Sequence, residues 1–193
     1  METNKSVNTA EIWNQRYQNS GRNLSLPRDF LIENQDLLPN SGLALDVAMG
    51  LGHNANLMSE HGLKVIGVDF SYVALRKAKI VFPQLQVLLS NLPAIHFSEE
   101  SFDVIVNFWF LDRLLFPVFR SILKSGGILI FETVRSEPEN EILNINPRYL
   151  LQPGELREYF SEWDFLIHDE TRSTIAHGSN QPITRLIARK PRR

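Results

Sequence analysis

Two aspartates and a pair of glycines are the residues of this chain most able to do chemistry together. Asp46 ends the apolar run Leu43-Ala44-Leu45, and Gly50 and Gly52 follow in the turn Ala48-Met49-Gly50-Leu51-Gly52. Asp69 closes a second apolar run, Val65-Ile66-Gly67-Val68. Gly50-Leu51-Gly52-His53-Asn54-Ala55 fits the pattern G-x-G-x-x-G/A, in which a strand gives way to a helix through a turn whose bare backbone approaches a ligand. With an acid near the spacing that this fingerprint asks for, the pattern by itself points to a nicotinamide or flavin enzyme.

Asp46 argues for a ligand of the other sign. Its carboxylate belongs beside whatever the glycine turn holds, and a pyrophosphate there would meet a like charge at a cost of about 1 kcal/mol in water and several times more in a partly dry cleft. A cationic ligand without phosphate suits the site better. S-adenosylmethionine has a sulfonium, an ammonium and a ribose whose hydroxyls suit an acid at the end of the second strand. On this reading Asp46 faces the methionine end, Gly50 and Gly52 form the close-approach turn, and Asp69 clamps the ribose. The plainer alternative is a glycine turn that only tightens a strand-to-helix connection.

The chain resembles the class I S-adenosylmethionine-dependent methyltransferases through most of its length. Leu45-Asp46-Val47-Ala48-Met49-Gly50-Leu51-Gly52 is similar to that family's first motif, and Val65 to Ser71 to its second strand and acid. Ser101 to Asn107 resembles the fourth strand, and Leu123-Lys124-Ser125-Gly126-Gly127-Ile128 the turn into the fifth. Trp13-Asn14-Gln15-Arg16-Tyr17, Gly52-His53-Asn54-Ala55 and Pro153-Gly154-Glu155-Leu156-Arg157 followed by Trp163 resemble the tellurite-resistance methyltransferase branch. The resemblance implies a cofactor site built from Trp13, Arg16, Tyr17, Asp46, Ala48, Met49, Gly50, Gly52, Asn54, Asp69, Phe70, Ser90, Asn91, Leu92 and Asn107. It places basic residues near the acceptor in the loop between the last two strands, where His177 stands as the candidate for orienting or deprotonating the acceptor. Two departures stand out: Ala48 occupies a position usually held by glycine, and Asn91 one usually held by an acid.

Composition sets outer bounds. At 193 residues, 43% hydrophobic and 22% charged, the chain suits one domain with a substantial core. The expected arrangement is a single domain over residues 1–193, with an N-terminal helical lid over about 9–40 and a Rossmann-like core over about 43–193. A net charge of −2 gives no general reason to expect nucleic acid or an anionic membrane as partner. Cysteine is absent, which removes disulfides, thiolate metal sites and cysteine nucleophiles. No apolar run approaches the roughly 20 residues that cross a bilayer, so a cytoplasmic location is the default expectation.

The elements that must position these residues follow from periodicity. A short helix from Thr9 to about Gln18 puts Trp13, Arg16 and Tyr17 on one face. It either packs on the flank of the domain or lids the cofactor, with Arg16 near the methionine carboxylate. Ser20 to Arg28 is loop, and helical character resumes from Phe30 to Leu38. After the first strand a helix runs from Asn54 to His61. Lys64 to Asp69 is the second strand, and Ser71 caps a helix with Val73, Ala74, Ala78 and Val81 on its apolar stripe. Leu85 to Leu89 is the third strand, followed by Ser90-Asn91-Leu92, suited to reading an adenine edge. Phe102 to Phe108 is apolar enough to be central, and puts Asn107 on the cofactor side and Trp109 toward an acceptor pocket. A helix from about Asp112 to Leu123 carries Pro117, which predicts a kink or two short helices. Ile128 to Val134 is the fifth strand. The polar stretch Arg135 to Leu151 reads as a loop over the acceptor site. Leu156, Tyr159 and Phe160 of a helix over Gly154 to Phe160 face inward. Phe165 to Thr171 and Ile183 to Arg189 read as an antiparallel pair at a sheet edge. The fold class is therefore α/β, a doubly wound sheet of about seven strands, mostly parallel with an antiparallel C-terminal edge pair and helices on both faces.

Methyl transfer from a sulfonium is an in-line displacement that discharges the sulfur. Positioning and low polarity can supply most of the catalysis, so a general base is optional and the sequence leaves its use open. The histidines His53, His61, His96, His168 and His177 show no ligand spacing, and no metal is expected. The reaction expected is transfer to a small-molecule acceptor, either a thiol or chalcogen oxyanion, as the resemblance implies, or a small apolar metabolite. The competing readings are a nicotinamide-dependent oxidoreductase, disfavoured by Asp46, and a non-catalytic protein that binds S-adenosylmethionine, suggested by Ala48 and Asn91. Oligomeric state is not legible in the sequence.

Overall fold

The apolar runs anticipated as strands assemble into one seven-stranded sheet in a computed structural model that describes residues 9–19, 26–92, 95–137, 146–174 and 180–192. In chain order the elements are α1 (Thr9–Asn19), α2 (Asp29–Glu33), β1 (Leu43–Val47), α3 (His53–Glu60), β2 (Lys64–Asp69), α4 (Tyr72–Val81), β3 (Gln86–Leu89), β4 (Phe102–Phe108), α5 (Leu115–Ile122), β5 (Leu123–Val134), α6 (Glu155–Tyr159), β6 (Asp164–Thr174) and β7 (Asn180–Arg189). The strands lie in the order β3-β2-β1-β4-β5-β7-β6. The first five are parallel, and β7 runs antiparallel to both β5 and β6. This is the doubly wound α/β class with the antiparallel edge pair that the sequence predicts.

Strand alternation divides the core between the two faces of the sheet. On one face Leu45, Val47, Ile105, Leu129 and Phe131 meet Phe116 and Phe119 of α5 and Leu156 of α6. On the other, Ala44, Val104, Val106 and Ile130 meet Phe30 and Leu31 of α2, Met58 of α3 and Ala78 of α4. Strand order reverses between β1 and β4. The carboxyl ends of the strands at such a switch point leave a crevice where open α/β sheets bind ligands.

Several boundaries differ from the sequence reading. Pro117 neither kinks nor splits its helix, because α5 starts at Leu115 and the proline sits in the first turn, where an N–H has no intrahelical acceptor to lose. Leu75 takes the place of Val81 on the buried stripe of α4; Val81 ends that helix and is exposed. Tyr159 is 37% exposed and so only partly inward, with its ring tilted against Phe116 and edge-on to Phe160. The fifth strand begins at Leu123, with an irregularity in its pairing to β4 that takes in Gly126 and Gly127. Arg135 and Leu151, the ends of the long polar stretch, pair with each other, and residues 138–145 between them lie outside the described residues.

Candidate functional site

Asp46 is the last residue but one of β1 and is 1% exposed. Alternation puts its side chain on the same face as Ala44, toward α3, where the backbone N–H of Ala55 points at it. Among the described residues its buried Oδ2 has no hydrogen-bond partner. Burial, reinforced by the neighbouring Asp69 and opposed by the Ala55 N–H, pushes its pKa from 3.8 up to about 8. A buried carboxylate with one orphaned oxygen and a raised pKa is short of a cation or an N–H donor.

The turn beyond it is wound left-handed at three positions, with φ of 55° at Ala48, 54° at Gly50 and 81° at Gly52. Gly50 cannot be replaced freely, since a Cβ there would lie 2.6 Å from the Tyr17 hydroxyl. Met49 turns its side chain into the core against Gly67, where an added Cβ would meet its sulfur at 2.0 Å, so only its backbone faces the turn. Asp69, at the end of β2 and 3% exposed, accepts from the Gly50 N–H at 2.8 Å and the Ser71 N–H at 2.7 Å. Burial raises its pKa despite these donors and the Phe70 N–H. The second acid therefore ties β2 to the glycine turn.

The helix α1 packs against the start of α4, and its Tyr17 reaches Gly50. Asn14 Oδ1 accepts from the Ser71 hydroxyl at 2.7 Å and the Val73 N–H at 3.2 Å, and Lys77 donates to the Tyr17 carbonyl. Tyr17 is thereby held over Gly50, where burial and the charge of Asp69 push its hydroxyl well above the usual phenol range. Trp13 packs against Tyr17 with ring centroids 5.9 Å apart, and Arg16 is exposed and packs over the Trp13 ring at 4.8 Å. Asn54 accepts from the backbone N–H of Arg28 at 2.8 Å, joining the approach to α2 to the start of α3.

Tyr17, Asp46, Ala48, Gly50, Gly52, Asn54, Asp69 and the half-buried Phe70 are thus brought to one end of β1 and β2. Beyond β3, the Ser90 N–H donates to the Asp69 carbonyl at 3.1 Å, Asn91 is exposed, and Leu92 is buried. Asn107 shares its face of β4 with Ile105, opposite to Asp46, and its amide donates to the Phe110 carbonyl at 2.7 Å. His177 lies outside the described residues. Burial lowers the pKa of His53, which meets the Phe82 ring edge-on at 5.1 Å. Among the described residues no three His, Asp or Glu side chains are grouped to hold a metal ion, and no helix is long and apolar enough to cross a membrane. An open cleft of about 640 Å³ between Glu99, Arg120, Glu162 and Lys190 lies toward the amino edge of the sheet, away from these residues.

Three residues that the sequence reading passed over join the site. Arg28 packs over the Trp109 ring at 5.1 Å, Trp109 Nε1 donates to Glu132 at 2.9 Å, and Arg185 Nε donates to Glu132 at 2.8 Å. Glu132 and Arg185 face each other across β5 and β7. A lone acid in one apolar run and a lone base in another of similar length were the signal for that pair; nothing local marks Arg28.

A family model described as a methyltransferase domain matches residues 45–131, from the middle of β1 to within β5. A probable S-adenosylmethionine-dependent methyltransferase of Mycolicibacterium smegmatis is 26% identical over 95 residues, 46% of this chain and 37% of that protein. The ubiquinone biosynthesis O-methyltransferase of Albidiferax ferrireducens is 29% identical over 146 residues, 60% of this chain and 56% of that protein. Among solved structures, TehB from Haemophilus influenzae superposes with a TM-score of 0.70 at 20% identity, over 84% of this chain and 61% of that one. A phosphoethanolamine N-methyltransferase from Haemonchus contortus, solved with S-adenosylhomocysteine, gives 0.71 at 19% identity over 95% of this chain and 58% of that one. Likeness at that level of identity speaks to the fold. Over residues 45–131 the chain is similar to a methyltransferase domain, and its ordered motifs lie within or beside that segment. The chain spans 37% and 56% of the length of these two curated relatives.

Proposed function

We propose that this chain binds S-adenosylmethionine at the carboxyl ends of β1 and β2 and transfers its methyl group to a small-molecule acceptor. The observation that carries the proposal is the unpartnered, buried Oδ2 of Asp46 at the head of the glycine turn. An ammonium or sulfonium beside it would satisfy that oxygen and neutralise its charge, whereas a phosphate would be repelled. Bound there, S-adenosylmethionine supplies the methyl group on a sulfonium whose charge is lost as the methyl leaves. Asp46 holds the methionine end, the backbone of Gly50 and Gly52 admits the ligand closely, Asp69 receives the ribose hydroxyls, and Asn91 offers an acceptor to the adenine amino group. Helices α1 and α2 act as the lid, with Tyr17 and Trp13 excluding water from the crevice. Low polarity there favours a step in which charge disappears.

The acceptor is a small soft nucleophile, such as a thiol or a chalcogen oxyanion, approaching from the ends of β4 and β5. The resemblance of the flanks to the tellurite-resistance branch supports this class, and the relative named for ubiquinone biosynthesis supports a small acceptor more generally. His177 is the candidate for orienting it. Calorimetry with S-adenosylhomocysteine tests the reading: binding at micromolar concentrations is expected, and no heat at millimolar ligand would end it. A screen of thiols, selenite and tellurite scored by released S-adenosylhomocysteine then tests the acceptor class.

A further inference from the structure

We propose that Arg28, packed over Trp109 beside the Glu132–Arg185 pair, receives an anionic group of the methyl acceptor, so that the substrate class is a small nucleophile carrying a carboxylate or a comparable oxyanion. The inference rests on the methyltransferase reading above and adds to it the charge of the acceptor. Trp109 follows directly on β4 with φ of 58°, a conformation costing a bulky residue about 1–2 kcal/mol. Two hydrogen bonds from it to Glu132 hold it there, from its backbone N–H to the carbonyl at 2.8 Å and from its indole N–H to Oε1 at 2.9 Å.

The other carboxylate oxygen of Glu132 accepts from Arg185 at 2.8 Å, and Arg185 in turn packs over the Phe30 ring at 5.1 Å. Glu132 is thus committed to two donors, 4% exposed, and clamped between β4 and β7. Arg28 is left over. Its guanidinium is half-buried against the indole, and among the described residues no carboxylate lies within ion-pair distance of it. Glu132, Tyr17 and the exposed Asp29 are the groups facing it, and burial outweighs all three in pulling its pKa below the usual guanidinium range.

Of the two acids facing Arg28, Asp29 is exposed to solvent and screened by it, and Glu132 is buried and already held by Arg185 and Trp109. The ends of β4, β5 and β7 therefore offer a ligand the Arg28 guanidinium, next to a crevice whose own acids, Asp46 and Asp69, are negative when ionised. A cation held at β1 and β2 and an anion held beyond β4 would bring the two reactants together with complementary charge. A guanidinium on an indole keeps N–H donors for two oxygens of a ligand, the arrangement that a carboxylate or a chalcogen oxyanion fills.

The test uses the full chain saturated with S-adenosylhomocysteine and titrated by calorimetry with 3-mercaptobenzoate, its methyl ester, and selenite. At least one anion is expected to bind, with the ester at least tenfold weaker than the acid when the acid is the one that binds. Arg28→Gln should weaken the bound anion at least tenfold and leave S-adenosylhomocysteine within twofold; Arg28→Lys should recover part of the loss. Thermal melts of both variants check that they fold. Binding of the acid alone assigns an organic carboxylate, and binding of selenite alone an inorganic oxyanion. Ester binding as tight as the acid, no binding of either anion, or unchanged anion affinity in Arg28→Gln overturns the proposal. A tenfold loss of S-adenosylhomocysteine affinity in Arg28→Gln also overturns it, by assigning the guanidinium to the cofactor's own carboxylate. Failure of the wild type to bind S-adenosylhomocysteine is a separate result, and takes down the methyltransferase reading beneath it.

Discussion

A carboxylate sealed from water with one oxygen unpartnered, as Asp46 is, should make ligand affinity depend on pH. Its pKa rises from 3.8 to about 8, with burial the largest cause, so in the empty site it is protonated at neutral pH. A cationic ligand prefers the ionised form, and affinity for S-adenosylmethionine should therefore climb as pH rises from 6 to 8 and level off above about 8. Asp46→Asn should bind at least tenfold more weakly at pH 8.5 and lose that slope, as read by calorimetry across pH. The sign for stability is opposite. A folded-state pKa above the unfolded value stabilises below about pH 4, and that contribution is lost as pH rises toward 8. The ligand-free Asp46→Asn variant should accordingly melt higher than wild type at pH 8, by at least about 1 kcal/mol or roughly 2–4 °C. Ala48 is a second strained point, since φ of 55° disfavours any residue with a Cβ. Ala48→Gly should stabilise the protein by about 0.5–1 kcal/mol in urea unfolding, the relief of strain exceeding the added freedom of the unfolded chain. Asp46 and Asp69 were legible because each ends an apolar run beside a glycine turn. Arg28 was not, because its partner Trp109 is brought to it by the sheet and by no local spacing.

Between elements, the contact that matters most for function is the seat of α1 on α4. Asn14 supplies it by accepting from two donors at the start of α4, where Ser71 also caps the helix through a bond from the Ala74 N–H. Asn14→Ala should loosen the lid without loosening the sheet. The expected outcome is faster tryptic cleavage at Arg16, a tenfold or greater loss of S-adenosylhomocysteine affinity, and a change of about 1 kcal/mol or less in global stability. Saturating ligand should slow the cleavage in wild type more than in the variant. Strands β2 and β4 begin and end where the apolar runs do, since a buried parallel strand leaves an uninterrupted hydrophobic signal. Helix starts were less legible. That of α5 is set by Leu115 and Phe116 meeting the sheet, so Pro117 falls in the first turn.

At the scale of the whole molecule, one sheet carries two cores, and each face supports the other through shared backbone. Phe119→Ala on the α5 face and Met58→Ala on the α3 face each remove a side chain that is 1% exposed or less. Each is expected to lower stability by about 2–5 kcal/mol. Because the faces share the strands, both variants should unfold in a single transition, with near- and far-ultraviolet circular dichroism coinciding in urea. Separate transitions in either variant would mean that the two faces unfold independently.

The order of the motifs, the runs that become strands, the turn that admits a ligand and the sign of the charge beside it were determined by the sequence itself. Each rests on neighbours a few residues apart, through strand and helix periodicity and the backbone freedom of Gly50 and Gly52. The tertiary structure alone decided which distant side chains share space. It seats Tyr17 over Gly50, turns Asn107 to the face opposite Asp46, and sets Glu132 between Trp109 and Arg185 with Arg28 packed over Trp109. Those meetings follow from the order of strands in the sheet and the docking of the N-terminal helices, which depend on how both faces are covered at once and leave no periodic mark along the chain.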